Sequence, residues 1–103
     1  MELYYTYKCS IIVFMKNLKR WTVVFRALSN INRLKIIEIL LGGRKMNVGD
    51  IARSIGISPK STSNHLAILK NLDVLESHGS AGHVFYFINS QMPKDFQHII
   101  KSL

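Results

Sequence analysis

A chain of 103 residues is one domain long and can bury only a modest core. Its apolar fraction of 48% is too high for a disordered chain, and 14 Lys and Arg against 6 Asp and Glu leave a formal charge of +8. That balance favours a polyanionic partner, nucleic acid or an anionic membrane surface, and disfavours a strongly basic ligand. Cys9 is the only cysteine, which excludes an intramolecular disulfide and a four-cysteine zinc site within one chain.

The stretch Leu3 to Phe14 is rich in Tyr and Ile, but Thr6, Lys8 and Ser10 interrupt it. Its longest apolar run, Ile11 to Met15, is far short of a membrane span. No early basic region or small-residue cleavage site frames a signal peptide. Met15-Lys16-Asn17-Leu18-Lys19-Arg20 itself reads as a start. Residues 1–14 are therefore expected to be an N-terminal extension or an extra dimer element, and 15–103 one domain of a cytoplasmic protein with no membrane partner.

Along the chain, Leu18, Trp21, Val24, Phe25 and Leu28 recur at three- and four-residue spacing and predict a helix over 16–28. Leu34, Ile37 and Leu41 predict a second over 32–41, stopped by Gly42-Gly43. Arg44-Lys45-Met46 has the length of a short edge strand. Asn47 and Asp50 resemble a capping box opening a helix over 48–55, with Val48, Ile51, Ala52 and Ile55 inward and Gly56 as its stop. Ser58-Pro59 opens the next, 59–72, because serine accepts from free first-turn amides and proline at the first helical position loses nothing by lacking an N–H. Its inward stripe is Thr62, His65 or Leu66, Leu69 and Leu72. A β-hairpin is expected over 74–88 around the tip Gly79-Ser80-Ala81-Gly82. A last helix, 93–102, carries Phe96, Ile99, Ile100 and Leu103 on one side.

Two short helices meeting at Gly56, sealed by Ile51, Ile55 and Ile57, meet the physical requirement of a helix-turn-helix: the first braces the second, which projects into a major groove. The outward face of the second presents Lys60, Ser61, Ser63 and Asn64, with Lys70 further on. Arg44, Lys45 and Arg53 add cations nearby. Cations suit phosphates, while Ser and Asn reach base edges. The hairpin that follows would act as a wing, with His78 and His83 flanking its tip and no Arg or Lys in it. The fold class is thus mostly α with a small β-hairpin wing.

Phe25-Arg-Ala-Leu-Ser-Asn-Ile-Asn-Arg-Leu-Lys-Ile-Ile-Glu-Ile-Leu, the recognition segment Ser58-Pro-Lys-Ser-Thr-Ser-Asn-His-Leu and the wing Glu76 to Phe87 resemble the ArsR family of winged helix-turn-helix regulators. The resemblance covers about Phe25 to Ile88. It implies DNA-facing positions at Lys60, Ser61, Ser63 and Asn64, and dimerisation through the flanking helices. Leu18, Trp21, Phe25, Phe96, Ile99 and Ile100 are the expected dimer face. The wing departs from the family in having His83 where a basic residue is usual, and its tip looks one residue longer. The final helix is short, so Leu3 to Phe14 could supply further dimer surface.

No carboxylate pair, nucleophile elbow or phosphate-binding glycine loop supports an enzyme. The family's metal sensors place cysteines before the recognition helix, and Met46 to Asp50 has none. Asp95 and His98 share a helical face and could form a four-ligand site in a dimer, but a capping Asp95 and a solvated His98 are the plainer reading. No metal and no cofactor is expected, and the effector is unknown. The function read from the sequence is a DNA-binding transcriptional regulator acting as a homodimer on double-stranded DNA. A winged-helix module for protein assembly within a transcription complex is the alternative.

Overall fold

The computed structural model describes residues 17–103. The expectations for residues 1–14, Cys9 included, lie outside the described residues. The elements in order are α1 (Leu18–Leu28), α2 (Ile31–Leu40), α3 (Val48–Ile55), α4 (Pro59–Asn71), β1 (Leu75–Ser80), β2 (His83–Ile88) and α5 (Lys94–Ile100). None of these helices is long and apolar enough to cross a membrane.

Local chemistry sets most of the boundaries. The Asn30 side chain accepts from the amides of Asn32 at 2.9 Å and Arg33 at 3.2 Å and starts α2. Asn47 accepts from the Asp50 amide at 2.8 Å and starts α3. Asp50 does not complete a reciprocal capping box; its carboxylate pairs with Arg53 one turn on. Ser58 accepts from the Ser61 amide at 3.1 Å, with Pro59 in the first turn of α4. Each such cap is worth about 1 kcal/mol. Gly56 ends α3 at a φ of 75°, a left-handed angle that costs a side-chain-bearing residue more, and this turn aims α4 away from α3.

The core is formed by Val24, Ala27 and Leu28 of α1, Ile36, Ile37 and Leu40 of α2, and Ile51 of α3. Leu66 and Leu69 of α4, Val74 and Leu75 before and in β1, and Met92, Phe96 and Ile100 around α5 complete it. Thr62 is fully buried among these apolar residues, and its hydroxyl donates to the Ser58 carbonyl at 2.9 Å, so the polar group costs little there. Of the two candidates for the inward stripe, Leu66 is buried and His65 sits half-buried beside it.

Several expectations are corrected. Phe96 and Ile100, placed on the dimer face from the sequence, are buried within the protomer at 0% and 4% exposure. A helix of only seven residues turns its larger apolar side chains into the core it closes. The helix ends at Ile100 rather than 102. Asp95 stands inside the first turn rather than at its cap, which Pro93 occupies. The wing tip is also shorter than expected: the strands pair in register from Leu75↔Ile88 to Ser80↔His83, leaving only Ala81-Gly82 as the turn. Their φ angles of 53° and 80° are those of a type I′ turn, whose twist matches that of paired strands. The segment 44–46 contributes a single bridge, Met46 to Tyr86, with backbone bonds of 3.0 and 2.8 Å that moor the wing to the body.

Candidate nucleic-acid interface

With Thr62, Leu66 and Leu69 buried, the start of α4 has its opposite face in solvent. Lys60, Ser61, Ser63 and Asn64 are all exposed, and none of their side chains makes a hydrogen bond or ion pair among the described residues. Their donors and acceptors are therefore free, on a helix anchored by its other side and fixed at its start by Ser58 and Pro59.

The remaining candidates fall into two clefts. Arg53 and His83 come together with Asn47, Val48 and Gly49 around an open cleft of about 410 Å³ between the start of α3 and the wing tip. Lys45, Lys70 and His78 share a second of about 440 Å³ at the base of the wing. Asp73 and Glu76 line that second cleft as well, offsetting its cations. Lys45 further lies over the Phe87 ring, its Nζ 4.7 Å from the centroid, a cation–π contact that holds the side chain against the wing. Arg44 is exposed and borders neither cleft.

Two features escaped sequence reasoning. Asp50 pairs with Arg53 and partly neutralises it. Arg33 connects three elements: its Nε donates to the Ala27 carbonyl at 2.7 Å, one terminal nitrogen to the Arg26 carbonyl at 3.3 Å, and the other lies 3.3 Å from His65 Nδ1. Burial, and then the Arg33 charge, push the His65 imidazole below its usual pKa. Spacing could have suggested the Asp50–Arg53 pair, whereas no local signal links positions 33 and 65. Asp95 is occupied by Arg20, with Nε to Oδ2 at 2.8 Å. Among the described residues no group of three His, Cys, Asp or Glu is placed to hold a metal.

Of the residues expected on a dimer face, Leu18 and Phe25 are 60% and 58% exposed, and Trp21 stacks on Phe25 at 5.5 Å. Ile99 is half-buried. Ile31, 64% exposed, was not expected among them.

A braced second helix with an open polar face, followed by a hairpin moored beside it, defines a winged helix-turn-helix DNA-binding protein. Residues 30–77 match the family described as "Bacterial regulatory protein, arsR family". The transcriptional repressor SdpR of Bacillus subtilis is 40% identical over 72 residues, 70% of this chain and 79% of that protein. Reduced HlyU from Vibrio cholerae has a similar structure, with a TM-score of 0.72 and 28% identity over 87% of this chain and 90% of that one. The winged helix-turn-helix domain of Mb0332 from Mycobacterium bovis, described as homodimeric, gives 0.67 and 25% over 82% of this chain and 75% of that one. The chain belongs to the arsR family of bacterial regulatory proteins, and it is a DNA-binding transcriptional regulator rather than an enzyme.

Proposed function

We propose that this regulator binds a particular two-fold symmetric duplex as a homodimer and reads it with Lys60, Ser61, Ser63 and Asn64. The observation that carries the reading is the unpaired polar row at the start of α4, held on the side opposite Thr62, Leu66 and Leu69. Asn64 has the two-headed geometry that suits adenine, and Lys60 suits a guanine edge or a phosphate. Arg53 and His83, facing one cleft, suit a single backbone segment, with Arg44, Lys45 and Lys70 supplying more distant charge and His78 lining the second cleft.

Homodimerisation rests on the exposed apolar side chains Leu18 and Phe25 of α1, with Trp21 stacked on Phe25, and on the exposed Ile31 at the start of α2. A patch of this kind usually marks an interface, and the related Mb0332 domain is described as homodimeric. Two-fold symmetry would set the two copies of α4 about one DNA turn apart, ~34 Å.

The test is selection of bound duplexes from a randomised pool, followed by titrations with selected and scrambled duplexes. Asn64→Ala should reduce discrimination by roughly 1–3 kcal/mol if it contacts adenine through both heads. If Asn64→Ala and Lys60→Ala leave both affinity and specificity intact, α4 does not read the duplex. Tight hetero-association with only weak, sequence-indifferent DNA binding would then favour the assembly module.

A further inference from the structure

The two surfaces that this reading assigns, the apolar face of α1 and the polar face of α4, have to be held at a fixed angle for two reading helices to match two half-sites. Three hydrogen bonds from one side chain run between them. Arg33 holds the last turn of α1 through the carbonyls of Ala27 and Arg26, and it reaches His65 on α4 with its remaining terminal nitrogen. A guanidinium only donates. The contact therefore requires His65 Nδ1 to be an acceptor, which makes the imidazole neutral with its proton on Nε2.

We propose that Arg33 is a positioning residue for DNA recognition, which sets the angle of the reading helix against the dimer helix through its bond to His65. The proposal rests on α4 reading the duplex. Lys60, Ser61, Ser63 and Asn64 lie in the turns of α4 just before His65, exposed on the side away from the core. A change at His65 thus tilts the residues that meet base edges while leaving the Ser58 cap in place.

The surrounding charges make the bond sensitive to protonation of His65. On α1, Arg26 presents its carbonyl to Arg33 and Arg20 is paired with Asp95, with Lys19 also on that helix. On α2 the charged groups are Arg33, Lys35 and Glu38; on α3, Asp50 and Arg53 are paired with each other. Lys60 and Lys70 are the other cations of α4, and β1, which packs on α4, carries Glu76 and His78. No carboxylate pairs with Arg33 among the described residues, so a proton on Nδ1 would remove the acceptor and set two cations face to face. Burial and Arg33 both oppose that proton, which places its uptake below the ordinary histidine value of 6.5.

The experiment uses the full chain and the duplex that it selects from a random pool, with affinity measured from pH 5.5 to 8. Arg33→Gln should lose about ten-fold or more for the selected duplex, the size of a hydrogen bond to a charged group, and change little for a scrambled one. His65→Asn keeps an acceptor near the Nδ1 position but cannot take up a proton. It should match wild type at pH 7.5 and hold its affinity below pH 6.5, where wild type weakens relative to it by as much as one proton per protomer. The exposed His78 and His83 are the same in both proteins, so the difference between the two profiles isolates position 65. Superimposable profiles for wild type and His65→Asn overturn the proposal, even where Arg33→Gln fails to fold. So does a folded Arg33→Gln that binds the selected duplex as wild type does. Failure of the wild-type protein to select any duplex would instead overturn the reading by α4 itself.

Discussion

Arg20 and Asp95, 75 positions apart, meet with Nε 2.8 Å from Oδ2 and tie the first described helix to the last. The same guanidinium lies 5.4 Å from the centre of the Phe96 ring, so one cation serves a carboxylate and an aromatic face together. The bond from Arg20 holds the Asp95 carboxyl below its ordinary value of 3.8, with burial acting in the opposite sense. A depressed carboxylate pKa contributes stability that is present above the unfolded value and lost as pH falls through the folded one. Asp95→Asn should therefore lower stability at pH 7 by about 1–2 kcal/mol, given the partial exposure of the pair. Urea unfolding at a series of pH values should show the gap between the two proteins closing below about pH 4. A gap that stays constant to pH 2 would mean that charge is not what Asp95 contributes.

The expected dimer residues separate into two behaviours. Phe96 is fully buried in the protomer, and Phe96→Ala should cost about 3–5 kcal/mol by leaving a cavity. Phe25 is 58% exposed, so Phe25→Glu should leave the circular dichroism spectrum intact and turn a dimer into a monomer on sedimentation. A Phe25→Glu protein that still sediments as a dimer would remove α1 from the interface.

Charge in the two clefts should act unequally on DNA. Asp50→Asn releases Arg53 from its partner and should strengthen binding to matched and scrambled duplexes alike, steepening the salt dependence by up to about one ion. Lys70→Ala should have the smaller effect, because Asp73 and Glu76 already offset that cleft. Salt titrations giving Lys70→Ala the larger loss would place the DNA backbone at the base of the wing instead of its tip.

The wing turn carries a correctable strain. Ala81 has a φ of 53°, a left-handed angle that an alanine adopts at a cost, whereas asparagine is favoured there in a type I′ turn. Ala81→Asn should raise stability by about 0.5–1 kcal/mol. Gly82→Val should lower it by about 1–2 kcal/mol, since Gly82 has a φ of 80° and valine is β-branched. Thermal melts at one protein concentration compare the pair. Equal melting temperatures for wild type and Gly82→Val would mean that the tip does not hold this turn.

Much of this arrangement was legible in the sequence because it depends on neighbours. A cap needs only a side-chain oxygen two or three residues before an amide, and Asn47 and Ser58 supply it. An amphipathic stripe needs only spacing, so the buried set of α4 could be read from the positions of Thr62, Leu66 and Leu69. The exposure of Lys60, Ser61, Ser63 and Asn64 follows from the same periodicity. Register and reach are different. Which glycine turns the wing depends on how far the ladder pairs, and cross-strand bonds extended it through Gly79 and Ser80. Whether Phe96 covers a partner or fills the protomer depends on the space left by the other helices, which no periodicity records. Arg33, similarly, reads as one more surface cation until folding brings the end of α1 and the middle of α4 within reach of a single guanidinium. Local hydrogen bonds and helical spacing are properties of the chain itself; the partners of long side chains arise only when distant segments pack.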